Sequence, residues 1–185
     1  MAVTRQWRLD SRNVAQVQLK DVEVPESNTV GRVGKGGQLL SQIIDQATVA
    51  LCGEMLGGMS AAFDRTLGYL KERVQFDVVI GTFQALKHRA AKVFMEIELS
   101  RSVVMAAARA LDEKDANKEI LVATAKARCS DAYILVTNEA VQMLGGIGMT
   151  DEEDTGFYMK RARAAEMTFG DATYHKNRFA ALKGY

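Results

Sequence analysis

The first places to look for chemistry are carboxylates, histidines, cysteines and glycine-rich turns at spacings that could hold a ligand or move a proton. Glu54 stands out. It sits in VALCGEMLGGM, an otherwise apolar stretch, and positions 47, 51, 54 and 58 fall on one helix face by their i, i+4 and i+3 spacing. A carboxylate on a buried stripe must be paired, neutral or functional. An ion pair with a basic residue from another helix is the preferred reading, with a catalytic role as the alternative. Gly31, Gly34, Gly36 and Gly37 surround Lys35, but GRVGKGG lacks the GxxxxGK-Ser/Thr order of a phosphate loop and reads as a connector. His88 and His175 have no metal-ligand spacing to cysteines or carboxylates, so no metal site is expected and both read as surface or helix-end histidines. KRARA at 160–164 reads as a solvated basic face. Cys52 and Cys129 make neither a disulfide framework nor a four-thiolate zinc site, which suits a reducing compartment.

These residues need elements to position them. Up to about residue 36 the chain reads as strand. In NVAQVQLKDVEV, Ala15, Val17 and Leu19 alternate with Gln16, Gln18 and Lys20, predicting one buried and one wet face. Pro25, the single proline, opens a turn-rich connector, and no later proline interrupts a helix. From there the period is helical. Leu40, Ile44, Ala47, Leu51, Met55, Gly58, Ala62 and Tyr69 mark a first helix over about 38–73. A second runs over 81–112 and a third over 115–144, the third stopped by Gly145-Gly146. Shorter helices are expected over 152–168 and 172–183. RVQFDVVIG reads as a helix–helix connection. The expectation is an all-α, up-and-down four-helix bundle with a short N-terminal β appendage.

Charge excludes some tasks. Lys and Arg number 24 against 23 Asp and Glu, a net charge of +1, which is no surplus for binding nucleic acid. No apolar run approaches the length of a membrane span, and MAVTRQWRLD carries no secretory stretch, so a cytoplasmic protein is expected.

Three stretches together point further. RVQFDVVIGTFQALKHRAA at 73–91, QMLGGIGMT at 142–150 and FGDATYHKNR at 169–178 resemble, in order and spacing, the Arg-x-x-Phe, Gln-x-x-Gly-Gly-x-Gly and Tyr-Glu-Gly-Thr segments of the acyl-CoA dehydrogenase family. The resemblance covers residue 37 to the end. Residues 1–36 resemble the end of that family's middle β domain plus its connector, so the chain looks like a C-terminal piece of a longer protein. The resemblance implies an FAD-dependent α,β-dehydrogenation of acyl-CoA thioesters. In it a carboxylate takes the α proton, hydride leaves the β carbon for the flavin, and electrons pass on to an electron-transfer flavoprotein. It also implies a homo- or hetero-oligomer, dimer or tetramer, with FAD across a subunit interface.

By position, Arg73 would bind the neighbour's FAD pyrophosphate, with Gln75 and Phe76 beside it. Gln84 would meet the adenosine part, and Gln142, Gly145 and Gly146 would bring backbone close to the same cofactor. Asp45 matches an acidic position facing the CoA moiety, whereas Thr48 stands where many members have Arg. At the catalytic base the chain departs from the pattern. The family's glutamate aligns with Gly170 and an alternative one with Ala47. Asp171, one residue along, and Glu54, two turns from Ala47, are the candidate replacements, although Asp171 also makes a good N-cap for the final helix. A non-catalytic partner subunit that completes the FAD site of an active homologue is the alternative function.

Overall fold

The structure, a computed structural model, describes residues 1–185. Strands β1 (Ala2–Gln6) and β2 (Val14–Gln18) form an antiparallel hairpin with Thr4 opposite Gln16. Three long helices follow: α1 (Gly36–Glu72), α2 (Gln84–Asp112) and α3 (Lys118–Leu144). Strands β3 (Val74–Gln75) and β4 (Val78–Val79) form a small antiparallel hairpin between α1 and α2, and α4 (Thr155–Met167) and α5 (Ala172–Lys183) complete the chain. The all-α bundle with a β appendage is as the sequence pattern predicts.

Helix α3 is the centre. It packs against α1, α2, α4 and α5, and so it is buried on nearly every side. That explains its many alanines, of which Ala123, Ala125, Ala132 and Ala140 are buried: four neighbours can approach only if the side chains between them are small. Around it, Met55, Met59 and Phe63 of α1, Val93 and Ile97 of α2, and Ala162 and Ala165 of α4 complete one apolar core. Buried hydroxyls are satisfied within their own helices. Thr66 donates to the Ala62 carbonyl at 2.8 Å and Ser100 to that of Glu96 at 2.7 Å. Gly58 lets α1 meet the Tyr133 ring, since a Cβ there would collide with the phenol oxygen. Burial, aided by the Glu54 charge, pushes that phenol up to about 12.

Within this chain neither face of the N-terminal hairpin is covered: Val17 and Leu19 are 52% and 69% exposed, because the helices lie along neither of its sides. It is tied to the bundle by charge instead. One expectation is corrected: Glu54 is not on the buried stripe, and its side chain is 40% exposed at the helix edge. No helix is long and apolar enough to cross a membrane.

Up-and-down connectivity sorts the ends of the bundle. The C-terminus of α1, the N-terminus of α2 and the C-terminus of α3 share one end. Ion pairs mark it: Arg89 to Glu139 at 2.7 Å joins α2 to α3, and Arg65 to Asp154 at 3.1 Å joins α1 to the start of α4.

Candidate functional site

At that shared end lie Arg73, Gln75, Phe76, Gln84, Gln142, Gly145 and Gly146. Arg73 is the extended residue that caps the end of α1, exposed and without a carboxylate partner. Gln75 lies on β3. Phe76 and Asp77 form the two-residue turn, both in the left-handed region at φ +55° and +63°, as a tight hairpin with right-handed twist demands. The turn lifts the Phe76 ring into solvent, 87% exposed, in a T-shaped pair with Phe83. Gln84 is the first residue of α2.

Helix α3 ends where the paired glycines predict. Gly145 takes φ +67° and ψ −139°, a conformation side chains avoid. Gln142, Gly145 and Gly146 line a cleft of about 340 Å³ with Asn138, Val141, Met149 and Met159. A Cβ built on Gly145 or Gly146 meets nothing within 4 Å, so the bare backbone faces open space. Gly148 differs. Its Cβ would press on Leu144 and the Val141 carbonyl at 3.0 and 3.1 Å, which makes it a packing glycine. An unpaired guanidinium and open glycine backbone at one end of the bundle fit a diphosphate-bearing cofactor such as FAD.

The second group of candidates lies lower on the bundle. Asp171 caps α5, its Oδ1 accepting from Tyr174 N at 2.7 Å, as the sequence predicts. Its Oδ2 makes no hydrogen bond. Asp45 is buried and gripped by Arg178 of α5 through two bonds, at 2.6 and 2.8 Å. It also lines a polar cleft of about 300 Å³ with Gln42, Gln46, Lys114, Lys118 and Glu119. Thr48 is buried and donates to the Ile44 carbonyl. Two residues here escaped the sequence reading. Lys126 is fully buried, and His175, expected at the surface, is 1% exposed. Burial depresses the Lys126 pKa, against the pull of the nearby Cys52, Cys129, Glu166 and Asp171. Burial likewise holds His175 below its usual range, with the Lys126 and Arg178 charges adding to it. The Phe169 carbonyl can only accept, so Nε2 of His175 carries the proton and the buried Nδ1 has no partner. The Cys129 thiol is pushed far up by its Cys52 hydrogen bond and by burial, and is no nucleophile.

Glu54 finds the partner expected of it. Arg161 of α4 binds it with two nitrogens, one bond at 3.0 Å, and Arg12 adds a third contact at 3.1 Å. Arg161 also reaches Asp10 at 2.7 Å, so KRARA is not wholly a solvated face: Arg161 is half-buried and clamps the N-terminal hairpin. The Arg161 hydrogen bond holds Glu54 below the usual carboxylate range. For Asp10, burial pulls upward, but the bonds from Arg161 and the backbone outweigh it and the net shift is down. Both folded pKa values lie under their unfolded ones. The stability these carboxylates give is therefore whole above about pH 4 and is lost as pH falls through the depressed values. Hydrogen exchange at the β2 amides is expected to stay constant from neutral pH down to about 5, after correction for the intrinsic rate, and to accelerate below about 4. Uniform exchange across that range would mean that the clamp does not hold the hairpin.

Comparison with known proteins places the chain. Residues 34–182 match the family model "Acyl-CoA dehydrogenase, C-terminal domain". The chain is 38% identical over 128 residues to acyl-CoA dehydrogenase IpdE2 of Mycolicibacterium smegmatis, a match covering 69% of this chain and 39% of that protein. Butyryl-CoA dehydrogenase from Megasphaera elsdenii superposes with a TM-score of 0.94 at 26% identity, over 98% of this chain and 48% of that one. A chain of the ChsE4-ChsE5 complex from Mycobacterium tuberculosis superposes with a TM-score of 0.89 at 26% identity, over the whole of this chain and 49% of that one. The chain belongs to the acyl-CoA dehydrogenase family, as its C-terminal domain. It spans about two fifths of the length of the curated relatives it matches.

Proposed function

We propose that this domain serves an FAD-dependent α,β-dehydrogenation of acyl-CoA thioesters, and that it serves two active sites at once. What supports this is the separation of its candidate residues. From Lys126, which touches the loop before Asp171, to Gly145 the axial rise of α3 is about 28 Å at ~1.5 Å per residue. Along α1, Asp45 and Arg73 stand about 42 Å apart by the same measure. One end therefore offers a cofactor-binding half-site and the other an acidic half-site, and a subunit interface is the natural way to bring halves from different chains together.

In this reading Arg73 neutralises the diphosphate of the neighbouring subunit's cofactor. Gln75 and Phe76 flank it, Gln84 meets the adenosine part, and Gln142 with the Gly145–Gly146 backbone comes close to the same cofactor. FAD bound there would accept hydride from the β carbon of the substrate. At the other end Asp171 takes, on its free oxygen, the α proton of the substrate in the second active site, whose FAD the neighbouring subunit's cofactor end completes. Asp45, with Lys114 and Lys118 about it, lies towards the CoA moiety. An electron-transfer flavoprotein takes the electrons onward.

The experiment is Arg73→Ala in the protein that carries this domain. A hydrogen bond to a charged group contributes about 1.5–3 kcal/mol, so FAD should bind roughly 10- to 150-fold more weakly, read as flavin absorbance after dialysis. Unchanged flavin content would remove Arg73 from the cofactor site.

One observation favours a second reading. Gly170 stands where the family's catalytic glutamate aligns, Glu54 is committed to Arg161, and Asp171 has one oxygen in its cap. A non-catalytic subunit that completes the FAD site of an active homologue would need the cofactor end alone. That reading predicts no acyl-CoA oxidation unless a homologue is added.

A further inference from the structure

The turn before α5 holds two consecutive residues in the left-handed region, Phe169 at φ +60° and Gly170 at φ +96°. Glycine takes this conformation freely, whereas phenylalanine is strained in it. Each carbonyl of the turn is taken by a buried nitrogen. Phe169 O accepts from His175 Nε2 at 2.9 Å, and Gly170 O accepts from Lys126 Nζ at 2.6 Å. The other two protons of the Lys126 ammonium go to Glu166 O at 2.9 Å and Ser130 Oγ at 3.1 Å, so all three donors are placed. Packing alone does not call for this charge. A methionine would fill the same space without the cost of desolvating an ammonium. What lysine adds is a fixed direction for the Gly170 carbonyl, and hence for the peptide plane from which Asp171 departs. Beyond that plane, Tyr174 N–H holds one carboxylate oxygen at 2.7 Å and leaves the other free.

We propose that Lys126 and His175 are positioning residues for Asp171: α3 and α5 each lend one buried nitrogen to the strained turn, and together they set where the free carboxylate oxygen points. The proposal rests on the reading of Asp171 as the proton acceptor. The grip on the turn can be measured whether or not that reading stands.

The test compares Lys126→Met, His175→Leu and His175→Gln, each in the intact flavin-loaded protein. The first readout is amide exchange at Tyr174, the donor of the cap. Lys126→Met and His175→Leu should each speed it by about tenfold or more, while amides in the middle of α1 and α3 keep their protection. His175→Gln keeps an N–H donor and should restore most of the protection. The second readout is turnover: kcat is expected to fall about 10- to 100-fold in the first two variants with KM and flavin content unchanged, since a misaimed base loses transition-state geometry and not substrate binding. Unchanged Tyr174 exchange in both, or protection lost evenly over the whole chain, would overturn the proposal and leave both residues as core filling. So would faster Tyr174 exchange with kcat intact in an active protein. If Lys126→Met does not fold, the Leu and Gln pair at His175 decides the matter alone. A wild type that binds flavin but oxidises no acyl-CoA would defeat the dehydrogenase reading. The exchange data would then still decide whether the two nitrogens aim the carboxylate.

Discussion

Asp171→Asn is expected to lower acyl-CoA oxidation by about 10²- to 10⁴-fold, the usual contribution of a positioned general base, and to leave stability nearly untouched. The two halves of that result separate the two uses of one side chain. Asn is as good an N-cap as Asp, so Tyr174 N–H keeps its acceptor and α5 keeps its start. Asn has no carboxylate to receive the α proton. Asp171→Ala supplies the control: it should cost about 1 kcal/mol from the lost cap in addition to the activity. The measurements are steady-state oxidation with an artificial electron acceptor and thermal unfolding of the same preparations. Activity that survives in Asp171→Asn would leave the cap as the residue's whole role and would favour the partner-subunit reading.

Asp45→Ala should produce a large loss of stability. The Arg178 guanidinium binds both oxygens of a carboxylate that is 4% exposed. The Asp45 hydrogen bond, against the penalty of burial, raises the affinity of that guanidinium for its proton. Removing the carboxylate leaves a half-buried cation that cannot shed its charge and has lost both of its bonds. Breaking such a pair costs roughly 3–5 kcal/mol, and the lower figure applies because Arg178 keeps 19% of its side chain in water. About 3 kcal/mol corresponds to a fall in Tm of roughly 6–12 °C for a chain of this size. Replacing both residues with apolar partners should recover most of it. If Asp45 served only the CoA moiety, the variant would keep its Tm and raise KM instead.

Much of the architecture was written in local pattern. Gly145-Gly146 ends α3 because only glycine is at ease at φ +67° and ψ −139°, and Asp171 starts α5 because its oxygen accepts the first-turn N–H of Tyr174. The three long helices follow from apolar spacing alone. What the sequence concealed were long-range electrostatics. Lys126 sits among alanines and looks like any solvated helical lysine, since its acceptors are backbone carbonyls at positions 166 and 170 that carry no signature in residue type. A lone histidine such as His175 gives no sign that its ring faces inward. The 73–81 connection hid a hairpin because Phe76-Asp77 is not the Asn-Gly pair that announces two left-handed residues. Alternation in β2 signalled a strand correctly, but not whether a second layer would cover it. For the candidate cofactor site, the residues came from motif resemblance, and helix connectivity put them at one end. Nothing in local spacing alone would have grouped Arg73 with Gly145.

Helix α3 carries the lysine that grips the Asp171 turn near its beginning and the glycines of the candidate cofactor end at its finish. It therefore works as a ruler with two marks. Inserting one residue between them would turn one mark by about 100° against the other and lengthen the gap by ~1.5 Å, so neither end could meet its neighbours without unseating the other. Seven inserted residues would bring the faces back to within about 20° but part them by ~10 Å. Length changes should therefore be refused within α3.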